Sequence, residues 1–367
     1  MGGGEKYLLT MADVLAATGR HEVHLLAAGD SPTIEQFRSY FHLKLPGVLL
    51  EICPQRSVRR RLRDSGMAII ESNFMGFGIP ARQSVYVLQT PYGPITAGSL
   101  GRKIIRGSFR EAAKDIFRLG LFRDARRATL VFANSSFSAT ALNRFHGVEA
   151  EILYPPIDSF TSAFLKSRTI LSVGRFFTGA YNTKRQDILI EAFKALIPRL
   201  PKQERWEYHL AGSCSDSRGR SLVEDLRAAA QGYPVFFHVN CSYDQLHNLY
   251  AGATFFWHGA GFGVNEALFP EQTEHFGMST AEAMSAGCIP LVFGRGGQPE
   301  IVSHGESGYL WDNVEELVTQ TLSLIAAPSE RSVMAENASR KASEFNRERF
   351  DDRFLTFMKI LETSQNG

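Results

Sequence analysis

No apolar run in this chain of 367 residues approaches the ~20 that a transmembrane helix needs. The opening Met1-Gly2-Gly3-Gly4-Glu5 has neither the basic start nor the apolar core of a signal peptide, so none is expected. Cysteine is scarce: Cys53, Cys214, Cys241 and Cys288 are scattered, with no Cys-x-x-Cys, which suits reduced thiols in a cytoplasmic protein. The ten histidines form no zinc-like pair, and no metal site is expected. Neither sign of charge dominates; 40 basic against 38 acidic residues give a net +2, which argues against a general nucleic-acid binder. Internal repeats and low-complexity tracts are also lacking. What remains is a chain 44% hydrophobic, enough for two sizeable cores.

Strand-like and helix-like segments alternate, which predicts α/β architecture with parallel sheets. Strands are expected at His21–Ala28, Val48–Ile52, Met67–Glu71, Ser84–Leu88 and Thr129–Ala133 in the first half. In the second half they are expected at Thr169–Val173, Glu207–Ala211, Val235–Val239, Ala253–Trp257 and Ile289–Phe293, with a last helix over Arg347–Glu362. The prolines of Ile152–Asp158 mark an extended linker between two domains.

The most informative stretch is Glu274-His275-Phe276-Gly277-Met278-Ser279-Thr280-Ala281-Glu282, two carboxylates seven residues apart. It reads as a loop feeding a helix N-terminus, where unpaired amides favour an anion. Glu274 stands before that terminus and Glu282 inside the helix, so each carboxylate can address one end of an elongated ligand. Alone, the stretch fits equally well an amphipathic helix with Glu282 solvated and Glu274 in a surface loop. Upstream, the Thr169–Val173 strand ends in Gly174-Arg175, and Lys184 precedes an apolar-periodic helix. A glycine at a strand end permits close backbone approach, and two cations near one point suit a diphosphate.

Together with Gly296-Gly297-Gln298-Pro299-Glu300 and Gly305-Glu306-Ser307-Gly308, these residues resemble the retaining nucleotide-sugar glycosyltransferases of family 4. The segment Trp257-His258-Gly259-Ala260-Gly261-Phe262-Gly263 narrows the likeness to the GDP-mannose-dependent α-1,2-mannosyltransferases of lipid-linked oligosaccharide assembly and their bacterial relatives. The resemblance implies a GT-B fold, two Rossmann-like parallel-sheet domains facing a cleft. Residues 1–157 would form the acceptor domain and 158–346 the nucleotide-sugar domain, with the helix of 347–367 crossing back to the first. It implies a GDP- or UDP-sugar donor, a glycan or lipid-linked acceptor, no metal and no other cofactor. Arg175, Lys184 and Glu274 would be catalytic. Gly3, Gly4, Gly174, Phe276, Gly277, Met278, Ser279 and Glu282 would bind the donor, Glu282 at the ribose. Gln89 and His258 would lie on the acceptor or sugar side. Many relatives carry histidine where Gln89 stands, and glutamine cannot act as a base. Two rival readings are another GT-B enzyme, such as a sugar-nucleotide epimerase or a phosphorylase, and a non-catalytic glycan-binding relative. Intact Arg175, Lys184, Glu274 and Glu282 argue against the last.

The first half is the basic one, residues 1–160 holding 20 Lys and Arg against 14 Asp and Glu. Its segment Arg102–Arg127 interleaves cations with Ile104, Ile105, Phe109, Ile116, Phe117, Leu119, Leu121 and Phe122. Such a segment suits an anionic membrane surface, on the cytoplasmic face, rather than nucleic acid. The bland alternative is a helix that packs its apolar face inward. Gly2-Gly3-Gly4 is expected as a loop before a helix over Tyr7–Thr18. A domain of this kind normally opens with a central strand leading into that loop. None precedes it here, so the first sheet is expected to have an empty slot, as for a chain that begins about ten residues late.

Overall fold

The computed structural model describes residues 3–27, 31–73, 75–160, 165–179 and 184–363. The chain divides into two compact units, Met1–Pro156 with Arg347–Gly367, and Ile157–Asn346. In chain order the first unit contains α1 (Gly3–Ala17), β1 (His24–Ala27), α2 (Ile34–Phe41), β2 (Leu49–Ile52), α3 (Gln55–Arg63) and β3 (Met67–Glu71). It continues with β4 (Gln83–Leu88), α4 (Ala97–Ile105), α5 (Phe109–Ala125), β5 (Leu130–Ala133), α6 (Ser136–His146) and β6 (Glu151–Ile152). The second unit contains β7 (Thr169–Val173), α7 (Gln186–Leu196), β8 (Glu207–Gly212), α8 (Ser217–Ala229), β9 (Val235–Val239), α9 (Tyr243–Gly252) and β10 (Phe255–His258). After β10 come α10 (Met278–Ser285), β11 (Ile289–Phe293), α11 (Gln298–Ile301), β12 (Tyr309–Trp311), α12 (Val314–Ala326) and α13 (Pro328–Ala342). The last helix, α14 (Arg347–Thr363), belongs to the first unit.

The second unit is built on a six-stranded parallel sheet of order β12-β11-β10-β7-β8-β9. Every residue of its inner strands β10 and β11 is buried, as befits strands covered by helices on both faces. The core gathers Leu189, Phe193, Trp206, Tyr208, Trp257, Leu291 and Trp311 from helices and strands alike. Strand order reverses between β7 and β10, the point where open parallel sheets leave a crevice beyond the strand ends. The chain enters and leaves this unit side by side, Ile157 bridging Asn346 and donating to Phe345 O at 3.0 Å.

In the first unit β3-β4-β5-β6 form one parallel sheet and β1-β2 another. Among the described residues, β1 and β3 each pair on one side only. Helix α1 packs Tyr7, Met11 and Val14 against Val85, Val87 and Phe132 of the larger sheet and Phe354 and Met358 of α14. Its Leu9 and Ala12 pack against Phe37, Phe41 and Leu45. That two-sided burial overrides weak glycine propensity and corrects one expectation: the helix starts at Gly3, so Gly3 and Gly4 are its first turn rather than a loop. Gly2 and Ala28 lie outside the described residues. No helix among the described residues is long and apolar enough to cross a membrane, and all four cysteines are free.

The basic segment forms α4 and α5, with its large apolar groups outward. Ile105 is 86% and Phe109 66% exposed, and Ile104, Ile116, Phe117 and Leu119 are exposed as well. Inward lie charges: Asp115 and Arg118 are buried, paired at 2.6 Å, and Arg118 stacks on Tyr92 at 4.1 Å. Lys103 is tied to the same Asp115. Of the segment's large apolar groups Leu121 and Phe122 pack inward, with Ala112 and Ala125, while the other six do not.

Candidate functional site

The crevice side of the second unit's sheet is where the singled-out residues converge. Gly174 follows β7, and a Cβ there would stand 2.7 Å from Lys184 Cγ. The bare glycine therefore makes room for the lysine stem as it crosses the strand end. Lys184 Nζ reaches Glu274 Oε2 at 2.5 Å. His258, at the end of β10, places Nε2 3.0 Å from the same oxygen, too far off line to count as a hydrogen bond. Its Nδ1 faces Gln298 Nε2 at 3.2 Å, and that amide also meets Thr280 Oγ1 at 3.1 Å. Donation from Gln298 makes Nδ1 the acceptor and leaves the ring proton on Nε2, toward the carboxylate.

Glu274 is fixed by its neighbours' backbone as well. Gly297 N donates to Glu274 O at 2.8 Å, and a Cβ on Gly296, at φ +67°, would lie 2.1 Å from that oxygen. Gly277 precedes α10 at φ +114°, tight against Gln298 and Ile301. The Thr280 and Ala281 amides both turn back to Gly277 O, while those of Met278 and Ser279 have no partner among the described residues. Phe276 is buried against Phe345 and anchors the turn.

Electrostatically, burial alone would push the Glu274 carboxyl up. The Lys184 ammonium and His258 outweigh it and hold the group well below the usual carboxylate range. Burial lowers His258 and His275, so both rings are neutral near pH 7. The site thus presents an ionised carboxylate, a neutral imidazole, an ammonium and two free amides at one strand end.

Glu282 lies one turn into α10 and accepts from Tyr250 Oη at 3.1 Å. Arg175 is exposed just past β7 and has no carboxylate partner among the described residues. Lys184, Glu274 and His258 are therefore brought into contact, while Glu282 meets Tyr250 and Arg175 is exposed past the strand end. Sequence reasoning gave no role to Gln298, Thr280 or Tyr250; Gln298 lay within a quoted motif, but nothing in its spacing pointed to His258.

In the first unit, Gln89 Nε2 is 3.4 Å from Glu71 Oε1, and a Cβ on Gly4 would be 3.4 Å from the same Nε2. Asn73 also donates to Glu71, at 3.2 Å. Burial, with Glu5 nearby, raises the Glu71 carboxyl above its ordinary value. This carboxyl at the end of β3 escaped the sequence reading, since a lone Glu closing a strand carries no pattern.

Residues 157–341 match the family described as Glycosyl transferases group 1, and residues 1–159 match Glycosyltransferase Family 4. The GDP-Man:Man(3)GlcNAc(2)-PP-Dol alpha-1,2-mannosyltransferase of Dictyostelium discoideum is 25% identical over 232 residues, 59% of this chain and 43% of that protein. The Xenopus tropicalis enzyme of the same description is 28% identical over 226 residues, 57% of this chain and 43% of its own length. The chain therefore spans less than half the length of these curated relatives. Among solved structures, Anabaena HepE in complex with UDP and glucose has a TM-score of 0.69 at 19% identity, covering 98% of this chain and 96% of that one. The chain belongs to the glycosyl transferases of group 1, and its two parallel-sheet units are those of the GT-B fold.

Proposed function

We propose that the protein transfers a hexose, with retention, from a nucleoside-diphosphate sugar to a hydroxyl of a glycan or lipid-linked acceptor. The observation that carries this reading is the Lys184–Glu274–His258 cluster, set at the sheet's switch point beside the free amides of α10. GDP-mannose is the donor suggested by the curated relatives, and UDP-sugars by the solved structure bound to UDP.

In this scheme Lys184 and Arg175 stabilise the diphosphate as its charge grows, supplying what a divalent metal supplies elsewhere. The Met278 and Ser279 amides hold phosphate or sugar oxygens. Glu274 accepts hydrogen bonds from sugar hydroxyls. A carboxylate this strongly held by Lys184 is a poor nucleophile, which favours attack on the donor's leaving-group face, the departing phosphate taking the acceptor's proton. The Glu71–Gln89 pair in the first unit offers an acceptor and a donor to hydroxyls of the sugar or acceptor. Purified protein given GDP-mannose, a glycan acceptor and EDTA should release GDP only when acceptor is present. Acceptor-independent conversion of the sugar would mark an epimerase, and strict need for a divalent metal would overturn the scheme.

Glu282 is proposed to bind the ribose. Glu282→Ala should weaken nucleotide binding by about 1–3 kcal/mol, the worth of a charged hydrogen bond, with turnover at saturating donor little changed. Calorimetric titration with GDP and UDP checks this; unaltered affinity for both would remove Glu282 from the site.

The outward apolar groups of α4 and α5, amid exposed Arg102, Arg106 and Arg110, support peripheral binding to an anionic membrane on the cytoplasmic face. Each basic residue near such a surface contributes about 1 kcal/mol. Replacing Arg102, Arg106 and Arg110 by Ser should therefore weaken binding to phosphatidylglycerol vesicles on the order of 100-fold. Lys103 is left intact because it holds buried Asp115. Wild-type binding should fade with salt; equal, salt-insensitive binding to neutral vesicles would contradict the electrostatic part.

A further inference from the structure

The first unit holds a cavity of about 660 Å³ that the donor chemistry does not use. Arg59 of α3, Arg123 near the end of α5 and Arg127 just beyond it line the cavity. Met75, Phe77 and Ile79 add apolar groups to the same lining. The loop carrying these apolar groups is held in place by Asp124 and Tyr86. Gly78 N donates to Asp124 Oδ2 at 2.8 Å, Phe77 N to Tyr86 Oη at 3.1 Å, and Tyr86 Oη to Gly78 O at 2.9 Å. Gly76 lies so close that a Cβ would be 2.2 Å from Asp124 Oδ2.

The lone carboxylate of the cavity is thus committed to the loop. Arg123 meets it only at 3.4 Å, and Arg59 and Arg127 have no carboxylate partner among the described residues. Arg59 lies against Gly78, where a Cβ would be 2.8 Å from Nη2. Three guanidinium forks against one occupied carboxylate leave the cavity positive, and such forks match phosphate oxygens. The apolar groups beside them offer nothing to inorganic phosphate and suit an attached apolar chain. We propose that this cavity binds the phosphate group of a phosphorylated apolar chain, with the chain along Met75, Phe77 and Ile79. Phosphate binding here is read without turnover, but taking an isoprenoid phosphate as the acceptor rests on the proposed function.

The test measures binding of farnesyl monophosphate, short-chain phosphatidic acid and farnesol to the full chain saturated with GDP. Both phosphates should bind, farnesol at least ~10-fold more weakly, for want of the charged hydrogen bonds. Arg59→Gln with Arg127→Gln should lose at least ~10-fold for the phosphates. The control Arg205→Gln with Arg218→Gln, an equal charge change on exposed residues of the second unit, should lose none. Arg127→Gln alone repeats the test if the double variant does not fold. A ~10-fold preference for the isoprenoid phosphate identifies a lipid-linked acceptor, and equal affinities identify a bilayer headgroup. Farnesol binding as well as its phosphate, or equal loss in both double variants, would overturn the proposal.

Discussion

Lys184→Met should lower turnover at least ~100-fold, because the ammonium meets the leaving diphosphate most strongly in the transition state. Donor affinity should fall far less. The same change also strands Glu274, which is 8% exposed and would keep only His258 beside it. Removing one partner of a buried ion pair costs about 3–5 kcal/mol, and the 18% exposure of the lysine side chain points to the low end. The two effects separate in a double variant. Lys184→Met with Glu274→Gln removes both charges, so its thermal midpoint should recover toward wild type while turnover stays at least ~100-fold down. Recovery of both would make Lys184 a structural residue and end the assignment to the diphosphate.

Glu274→Gln is expected to have the second largest effect, in activity and in acid stability. The amide cannot hold the Lys184 charge or accept sugar hydroxyls as a carboxylate does, so turnover should fall ~100-fold or more. The carboxyl is held below its unfolded value, near 4.3, by the ammonium and His258 despite its burial. A depressed carboxyl contributes stability that is fully present above the unfolded pKa and is lost as pH falls through the folded one. The difference in urea midpoint between wild type and Glu274→Gln should therefore be largest above about pH 5 and shrink as pH falls below 4. A difference independent of pH would mean that Glu274 is not ionised in the folded protein.

The strands that frame the site were legible because each is a short apolar run closed by a turn signal. Thr169–Val173, Val235–Val239 and Ile289–Phe293 fall where their composition puts them. Gly277 as the entry to a helix, with Glu282 inside it, was equally readable. The pairing of Lys184 with Glu274 was not. These residues are 90 positions apart, and what joins them is the sheet order that sets β7 beside β10. His258 and Gln298 meet because β11, which leads to Gln298, lies on the other side of β10. In the first unit, glycine's low helix propensity pointed to a loop, but Tyr7 and Leu9 are buried on opposite sides and draw Gly3 and Gly4 into the helix. Helical periodicity in α4 and α5 shows that two faces exist without saying which is covered; Asp115, not the sequence pattern, turns Lys103 and Arg118 inward.

The central claim is that the second unit holds a nucleoside diphosphate between Lys184 and α10. Thermal shift against GDP, UDP, GDP-mannose and UDP-glucose in EDTA, for wild type and Glu282→Ala, tests it most directly. Binding to the folded state alone raises stability by about 2.7 kcal/mol at a hundredfold excess over Kd. One nucleotide series should therefore raise the wild-type midpoint clearly, and Glu282→Ala should lose roughly a third to nine tenths of that rise at the same concentration. No shift with any nucleotide, or an undiminished shift in Glu282→Ala, would contradict it.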